Sequence, residues 1–256
     1  MALIQAKRIS FGYSGVKVLD DLSLSIPAGG VVALLGPNGS GKTTLLKLLL
    51  GILRPQEGTI HFRNTDISSL PARELARQLA YVPQVHREAF GYRVFDVVLM
   101  GRMPHTSFLS RYGATDMRIT REALERLSIN HLSERTYTEI SGGERQLTLI
   151  ARAMAQGART FVMDEPTNGL DYGNQLRLLD QVKSLAREES FTFILTTHHP
   201  DHALAIADRV IMMRCGRIIR DGLPHETITP QTLAELYDLD DRLFAIQTKG
   251  HATLPT

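Results

Sequence analysis

The sequence predicts an α/β core that is interrupted by an all-helical segment. Three short apolar runs, Val31–Leu35, Thr160–Met163 and Phe191–Thr196, are typical of strands buried on both faces of a sheet. Residues 86–155 lack such runs and instead place apolar residues at helical spacing. We therefore expect one domain with four parts: an α/β core of residues 1–86 and 156–245, an antiparallel β subdomain within it, an inserted helical subdomain of residues 87–155, and a loose tail of residues 246–256.

The first half of the chain shows clear element boundaries. Residues 1–30 alternate apolar and polar side chains, which predicts antiparallel strands. After Val31–Leu35, a leucine-rich stretch predicts a helix over Lys42–Leu53, because Pro55 and Gly58 end the helical pattern only after it. A strand at Thr59–Arg63 and a helix over residues 71–80 complete this half.

The second half is predicted from the same patterns. Apolar residues at helical spacing predict three helices in the inserted segment: Val94–Met100, Asp116–Leu127 and Glu144–Ala155. The remaining predicted elements are a helix over Asn174–Glu189, a hairpin of Val210–Arg214 and Arg217–Arg220 around Cys215-Gly216, and a short helix at Thr232–Tyr237.

Composition excludes several classes of protein. The 29 basic and 27 acidic residues give a net charge of +2, which is too balanced to predict a nucleic-acid partner. Cys215 is the single cysteine, so an intrachain disulfide is impossible, as is usual in a reducing compartment. The residues after Met1 do not resemble a signal peptide. The longest apolar runs are far shorter than the roughly 20 residues that span a bilayer, so we expect any membrane role to need a partner.

The segment from Gly36 to Thr43 has the pattern G-x-x-x-x-G-K-T between a predicted strand and a predicted helix. Glycines in this position let backbone N–H groups close around phosphate oxygens, and the following helix adds its dipole. Lys42 is expected to reach the β- and γ-phosphates, and Thr43 to offer a hydroxyl to Mg²⁺. The alternative is a glycine loop that only turns the chain. The predicted nucleotide-binding residues here are Gly36, Pro37, Asn38, Gly39, Ser40, Gly41, Lys42, Thr43 and Thr44.

A second glycine turn lies about a hundred residues later. Ser141, Gly142 and Gly143 precede the helix predicted at Glu144. A serine and two glycines at a helix start predict another phosphate site. The chain therefore has two predicted anion sites, which need not belong to the same nucleotide.

Two carboxylates follow the apolar run that ends at Met163. Because ligands bind at the carboxyl ends of strands in α/β sheets, Asp164 is expected to hold Mg²⁺ and Glu165 to orient or deprotonate an attacking water. The alternative is a solvated acidic turn.

Three further side chains have weaker signals. Gln84 lies where the core meets the helical segment and could contact Mg²⁺ or the attacking water. His198 follows the strand predicted at Phe191–Thr196 and could hydrogen-bond the γ-phosphate. Tyr13 lies in an early strand and could stack on adenine, although a half-buried strand residue is as good an interpretation.

The sequence His198-His199-Pro200-Asp201-His202 invites a metal-site interpretation, which we reject. Pro200 is well placed as the first residue of a helix, so His198 and His199 precede that helix and the face of a zinc helix is not formed. We expect His199 and His202 to be exposed.

Together these segments resemble the nucleotide-binding subunit of ABC transporters over essentially the whole chain. The matching motifs are the adenine-stacking aromatic Tyr13, Walker A at 36–43, the Q-loop at Gln84, the signature at 140–146, Walker B at 160–165, the D-loop at Gly169-Leu170-Asp171, and the switch histidine His198.

The resemblance implies a P-loop NTPase with a RecA-like core that binds ATP and Mg²⁺. It implies a head-to-tail homodimer in which each ATP is held by Walker A of one chain and by Ser141, Gly142 and Gly143 of the other. Asp171 of the D-loop joins the predicted nucleotide-binding residues, and Glu165, His198 and Gln84 are the predicted catalytic residues. Asp164, Thr43 and Gln84 are the predicted metal ligands.

Two positions depart from the family pattern. The signature usually reads LSGGQ, whereas here it is Ile140-Ser141-Gly142-Gly143-Glu144. The charge of Glu144 could weaken ATP binding or be neutralised by Arg145. His199 replaces a residue that is commonly acidic in the family.

The stretch from Phe90 to Arg102, with Pro104-His105, resembles importers of metal chelates: iron-siderophore, haem and corrinoid systems, and related molybdate or tungstate systems. This resemblance implies contact with integral membrane permease subunits through residues 86–105, at the cytoplasmic face of the inner or plasma membrane. A periplasmic or lipid-anchored substrate-binding protein would take part indirectly, and no nucleic acid is expected.

Other functions remain open at this point. An exporter with a separate membrane subunit would use the same motifs. A soluble ABC ATPase acting in DNA repair or on ribosomes usually has two cassettes or a coiled-coil insert, neither of which is visible here. A small-molecule P-loop kinase would need neither the Ser-Gly-Gly turn nor the D-loop.

Overall fold

The computed structural model of this chain describes residues 2–84, 91–107 and 111–239. The strands are β1 (Ala2–Tyr13), β2 (Val16–Pro27), β3 (Gly30–Leu35), β4 (Glu57–Phe62), β5 (Thr65–Asp66), β6 (Leu79–Val82), β7 (Thr160–Met163), β8 (Thr192–Thr197), β9 (Arg209–Arg214) and β10 (Arg217–Gly222). The helices are α1 (Lys42–Leu49), α2 (Ala72–Ala76), α3 (Val94–Leu99), α4 (Ala114–Arg126), α5 (Gly142–Ala155), α6 (Tyr172–Glu188), α7 (Pro200–Ile206), α8 (Pro224–Thr227) and α9 (Pro230–Tyr237).

A six-stranded sheet positions most of the predicted site. Its strand order is β10-β9-β3-β8-β7-β6, and every neighbouring pair is parallel except the hairpin of β9 and β10. Parallel strands bring their carboxyl ends to one edge of the sheet. The phosphate loop follows β3, Gln84 follows β6, Asp164 follows β7 and His198 follows β8, so all four lie at this edge.

A second sheet is antiparallel and has the strand order β2-β1-β4-β5. Its long hairpin pairs Ile4 with Ile26 and Ile9 with Leu22, and all four side chains are buried. The predicted antiparallel strands of residues 1–30 are therefore confirmed. The strand predicted at Thr59–Arg63 corresponds to β4, which begins two residues earlier.

Two apolar clusters cover the two faces of the six-stranded sheet. Alternate residues of β3 divide between them: Val31, Ala33 and Leu35 join one cluster, and Val32 and Leu34 join the other. The first cluster contains side chains of α3–α7, and the second contains the antiparallel sheet and α1. As the sequence predicts, the short apolar run of β3 is buried on both sides.

Two predicted helices are shorter in the structure. The first ends at Leu49 rather than Leu53, because Gly51 takes a left-handed φ of +67° and its N–H bonds to the carbonyl of Leu48. The helix predicted over residues 71–80 is limited to Ala72–Ala76, because the chain must be extended again at Leu79 to pair with β7.

Helices α3, α4 and α5 lie within one or two residues of their predicted bounds, as do α6, α9 and the β9–β10 hairpin. The helices of the inserted segment share one apolar cluster with the core sheet, so the domain boundary at residues 87–155 stays a prediction. Residues 86–90 of the predicted permease-binding region and the predicted tail of residues 246–256 lie outside the described residues. Across the described part of the chain, every helix is too short or too polar to cross a bilayer.

Candidate functional site

The phosphate loop is enclosed by its own chain. A Cβ at Gly36 would overlap the carbonyl oxygen of Met213 in β9, and a Cβ at Gly41 would lie 2.7 Å from Leu19 in β2. Gly41 also has a φ of +99° and forms the N-cap of α1. Glycine is therefore required at both positions by close contact with neighbouring strands.

Lys42 lies inside this loop. Its Nζ donates to the carbonyl oxygens of Gly36 at 2.7 Å and Pro37 at 2.9 Å, and the residue is only 5% exposed. Burial lowers the pKa of Lys42, while Glu165 and Asp164 act in the opposite direction. The ammonium group is thus held at the centre of a partly desolvated loop, where an anion would bind strongly.

The residues beneath the loop fit a magnesium–phosphate group. Thr43 Oγ1 donates to Asp164 Oδ1 at 3.1 Å, which brings together the two oxygen ligands that the sequence predicts for Mg²⁺. Among the described residues, the buried Ser40 hydroxyl has no hydrogen-bond partner and nothing lies within 4 Å of a Cβ built at Gly39. An orphaned hydroxyl, an open glycine and two hard oxygen donors match a phosphate with its cation.

Thr196 is a site residue that the sequence analysis missed. Its fully buried hydroxyl donates to Asp164 Oδ1 at 2.7 Å and accepts the N–H of Glu165 at 2.8 Å. One side chain of β8 therefore fixes both carboxylate residues that follow β7. The available signal was a pair of threonines, Thr196 and Thr197, at the end of an otherwise apolar strand.

Glu165 occupies an unusual backbone conformation. Its φ is +43°, which is rare for a residue with a side chain and is maintained only where surrounding contacts impose it. Its carboxylate accepts hydrogen bonds from His198 Nδ1 and Asn168 Nδ2, each at 3.3 Å. The structure thus brings the predicted catalytic pair, Glu165 and His198, into direct contact.

His198 is also held from the C-terminal side of the chain. The hydroxyl of Tyr237 in α9 donates to the backbone carbonyl of His198 at 2.7 Å. Burial raises the pKa of Tyr237 to about 12, so this donor stays protonated. A residue distant in sequence therefore holds the backbone of His198, the predicted switch histidine.

The Ser-Gly-Gly turn begins α5 with a capping box. Ser141 Oγ accepts the N–H of Glu144 at 3.3 Å, and the Glu144 carboxylate accepts the N–H of Ser141 at 2.7 Å. These hydrogen bonds lower the pKa of Glu144. Glu144 is thus engaged with Ser141 rather than with Arg145, whose buried Nε finds no hydrogen-bond partner in the described part of the chain.

The same turn leaves donors available for an anion. Gly142 and Gly143 occupy the first two helical positions, where N–H groups have no acceptor within the helix. Ser141 is exposed, so its side chain lies at the surface beside these N–H groups. The turn can therefore bind an anion with the N–H groups of its two glycines.

The neighbours of this turn lie in the predicted D-loop and in the first turn of α6. A Cβ at Gly142 would lie 3.4 Å from Leu170, and one at Gly143 would lie 3.1 Å from Asn174. Asp171 caps α6 by accepting the N–H of Asn174 at 2.9 Å, and this bond lowers its pKa. The described contacts thus form two groups: one around Lys42 and Glu165, and one around the signature turn and the D-loop.

Tyr13 and Gln84 are placed by the ends of strands. Tyr13 is 45% exposed at the end of β1 and makes an edge-on contact with Phe11. Tyr13 ends the first strand of the hairpin. The second strand begins at Val16 and includes Val18, which lies beside Gly41 of the phosphate loop. Gln84 lies two residues beyond β6 and is the last residue described before residue 91.

The prediction for the histidine segment is partly wrong. Pro200 does begin a helix, and His199 is exposed. His202, however, is 8% exposed, because its ring points inward and shares a 3.2 Å hydrogen bond between its Nδ1 and Thr167 Oγ1. Among the residues that the structure describes, no group of three His, Cys, Asp or Glu side chains is arranged to hold a metal.

Comparisons with known proteins agree with this geometry. The family described as ABC transporter matches residues 19–168. The chain is 36% identical over 237 residues to a Helicobacter pylori protein named a probable iron chelatin transport ATP-binding protein, covering 92% of this chain and 93% of that protein. It is 33% identical over 240 residues to the Bacillus subtilis iron(3+)-hydroxamate import ATP-binding protein FhuC, covering 94% and 89%.

Solved structures extend the similarity to three dimensions. A chain from a transporter described as metal-chelate type, in an inward-facing conformation, superposes with a TM-score of 0.83 at 34% identity, covering 93% of this chain and 89% of that one. Most of the chain is thus matched by sequence and by fold, and the chain belongs to the ABC transporter family as an ATP-binding cassette.

Proposed function

We propose that this chain is the ATP-binding and ATP-hydrolysing subunit of a bacterial importer for metal chelates: iron-siderophore, haem, corrinoid, or molybdate and tungstate. The observation that carries the hydrolytic part is the contact of Thr43 with Asp164 beside the buried Lys42. The names of the relatives support the transported class, since they refer to iron chelatin and iron(3+)-hydroxamate.

The residues divide the work of hydrolysis among them. Thr43, Asp164 and Gln84 would hold Mg²⁺, which supplies charge neutralisation on the phosphates. Lys42 and the backbone of Gly36–Gly41 would bind the β- and γ-phosphates. Tyr13, exposed at the end of its strand, would stack on adenine.

Glu165 would orient or deprotonate the attacking water, and His198 would bind the γ-phosphate. The 3.3 Å contact between His198 and Glu165 supports this division, because it places the two groups where one reacting centre would meet both. Thr196 would keep the two carboxylates at fixed separation by bonding to Asp164 and to the backbone of Glu165.

The complete site would form between two copies of the chain. The signature turn presents free donors at an exposed surface and packs against Leu170 and Asn174 of its own chain. The phosphate loop packs against different residues, in β2 and β9. ATP bound by one chain would therefore be closed by Ser141, Gly142 and Gly143 of the second chain, with Asp171 close to the junction.

An apolar groove supports the membrane partner. A cavity of about 960 Å³ lies between the C-terminal end of α1, helix α2 and the start of the inserted segment. Its lining includes Ile52, which is 58% exposed, and Met103, which is 63% exposed. Large apolar side chains exposed around a groove are typical of a protein-binding site.

This groove would receive a helix of the permease and would keep the subunit at the cytoplasmic face of the membrane. Met100, Gly101, Met103 and Pro104 of the lining fall within residues 86–105, the segment that the sequence predicts to contact the permease. A periplasmic or lipid-anchored binding protein would deliver the chelate to the same permease.

The hydrolytic role is tested by Glu165→Gln. This variant should bind ATP normally, accumulate as an ATP-bound dimer, and hydrolyse ATP at least about a hundredfold more slowly. Size-exclusion chromatography with ATP and a phosphate-release assay measure both effects. Normal turnover in Glu165→Gln would remove the carboxylate from the mechanism.

The two-chain site is tested with differently tagged chains. Heterodimers of Lys42→Ala with Ser141→Arg chains retain one intact composite site and should hydrolyse ATP. The matched control combines wild type with a chain that carries both substitutions, because those heterodimers retain no intact site. Equal activity in the two purified heterodimers would contradict the proposal.

The permease contact is tested by Ile52→Asp and Met103→Asp. Each should lose co-purification with the membrane subunit while ATP binding by the isolated chain is unchanged. Leu223→Asp, which changes an apolar residue that is 48% exposed outside the groove, is the control. Loss of association in the control alone would place the contact elsewhere.

A further inference from the structure

We propose that His202 is a positioning residue for hydrolysis, because it connects the switch histidine to the loop that carries Glu165. The inference rests on the proposed function of Glu165 and His198. It concerns a residue of the histidine segment to which the family motifs assign no role.

Three imidazole rings form a tilted stack, with 40° between the planes of His198 and His199 and 47° between those of His199 and His202. The ring centroids of His198 and His199 are 4.1 Å apart, and those of His199 and His202 are 4.7 Å apart. Pro200 begins α7 directly after His199. The first turn of that helix brings the ring of His202 into contact with the ring of His199. The first ring contacts the Glu165 carboxylate, and the last lies in the interior.

The last ring of the stack returns to the Glu165 loop. His202 Nδ1 and Thr167 Oγ1 share a hydrogen bond of 3.2 Å, and Thr167 is 4% exposed. Thr167 lies two residues after Glu165. The contacts therefore form a closed circuit that runs from Glu165 through His198, His199 and His202 to Thr167 and back along the chain to Glu165.

This circuit of contacts explains how the unfavourable backbone conformation of Glu165 is maintained. Glu165 has a φ of +43°, which persists only where the neighbouring residues fix the loop on more than one side. Thr196 fixes its N–H, and Asn168 donates its N–H to the Glu165 carbonyl. The hydrogen bond between His202 and Thr167 holds the next part of the same loop.

The loop also leads to the D-loop. Gln175 in α6 donates to the carbonyl of Leu170 at 3.0 Å, and Asp171 caps the same helix. A shift at Thr167 would therefore move Glu165 on one side and the D-loop on the other. His202 is in a position to couple the two.

The chemistry of His199 and His202 fits a structural link between neutral rings. Partial desolvation of His199 and burial of His202 lower the pKa of these two rings, and repulsion from the neighbouring histidine acts in the same direction. A neutral imidazole can share its Nδ1 with a hydroxyl, and adjacent neutral rings do not repel each other. The stack is thus suited to holding a loop rather than to binding an ion.

The test uses steady-state ATP hydrolysis by His202→Phe and Thr167→Val. Phe keeps the ring but not Nδ1, and Val keeps the shape of Thr without its hydroxyl. Each should lower kcat about ten- to hundredfold, the scale expected for a displaced catalytic group, while KM for ATP changes less than about twofold. The double variant should be no slower than either single variant, because both remove the same bond.

Three comparisons complete the test. His202→Asn, whose amide can replace Nδ1, should recover kcat to within about threefold of wild type. His225→Phe, at an exposed histidine, should match wild type. The melting temperatures of all variants show whether a loss of kcat only follows a loss of stability.

The outcomes separate the inference from the proposed function. If wild type hydrolyses ATP and Glu165→Gln does not, but His202→Phe and Thr167→Val have normal kcat, His202 has no positioning role. Additive losses in the double variant would also overturn the link. If wild type does not hydrolyse ATP at all, the proposed function fails, and the inference fails with it.

Discussion

The two glycine turns of this protein present their donors in opposite ways. The phosphate loop is walled by β2 and β9, holds a buried Lys42, and is tied to the next hairpin by the N–H of Gly216 on the carbonyl of Ser40. The signature turn begins α5 with an exposed Ser141, and its two glycines lie beside the side chains of Leu170 and Asn174. The first turn is enclosed by its own chain, whereas the second is open at Ser141.

The largest expected effect separates the two turns by function. Lys42→Ala should weaken ATP binding by the isolated chain at least about tenfold, because the loop loses its central charge. Ser141→Arg should leave that binding unchanged yet reduce ATP hydrolysis at least about a hundredfold, because it blocks the second turn. Titration with a fluorescent nucleotide at low protein concentration, together with phosphate release, measures both.

A weakened binding constant in Ser141→Arg at concentrations where the chain is monomeric would break the comparison. It would mean that both turns serve one nucleotide in one chain. Ser40→Ala is the comparison for Lys42→Ala, because it removes a buried hydroxyl from the same loop without changing the charge of that loop.

The next effect compares the turns by packing. Gly36→Ala places a methyl group against the backbone of Met213, which cannot move cheaply, so we expect a loss of about 1–3 kcal/mol in the free energy of unfolding. Gly142→Ala meets Leu170 at 3.4 Å, an ordinary contact at the start of a helix, and should change stability by less than about 1 kcal/mol. Urea unfolding measures the difference in the free energy of unfolding, and the m-values of the variants are compared to check that they are equal.

The sequence was informative where chemistry depends on a local pattern. The G-x-x-x-x-G-K-T loop, the two carboxylates after an apolar strand and the Ser-Gly-Gly turn are contiguous, and the order of strands brings the first two together. It was uninformative where a contact joins distant segments. Thr196 bonds to residues on a neighbouring strand, Tyr237 bonds to His198 from α9, and His202 bonds to Thr167.

The errors have the same cause. His202 has the polarity of a surface residue, and only the path of α7 shows that its ring is buried. The leucine-rich run of α1 continues to Leu53 in the sequence, but the left-handed Gly51 ends the helix earlier. Glu144 was expected to weaken ATP binding or to be neutralised by Arg145. Its carboxylate instead caps the helix start, and its effect on ATP binding stays a prediction.

A smaller effect concerns the cap of the signature turn. Glu144→Ala removes one half of the capping box and should lower stability by about 1 kcal/mol, whereas Glu144→Gln keeps an oxygen that can accept the N–H of Ser141 and should change it by less than about 0.5 kcal/mol. Thermal unfolding at neutral pH measures both. Equal losses would show that charge, rather than the hydrogen bond, holds the turn.

The smallest effect is a difference in the pH at which the two regions lose stability. The pKa of Glu144 is lowered by its hydrogen bonds to Ser141, so its contribution to the stability of the fold is complete above the usual carboxyl range and is lost only in acid.

The pKa of His202 is lowered by burial and by His199, with Asp201 acting in the opposite direction. The unfolded chain therefore binds more protons at this histidine, and its contribution is lost as the pH falls below about 6.5. Between pH 7.5 and 5.5, His202→Phe should consequently show a shallower fall in melting temperature than wild type, and Glu144→Gln should follow wild type. If the melting temperature falls in parallel in wild type and His202→Phe, burial of His202 does not oppose its protonation. The region of His202 and the signature turn would then not differ in their response to acid.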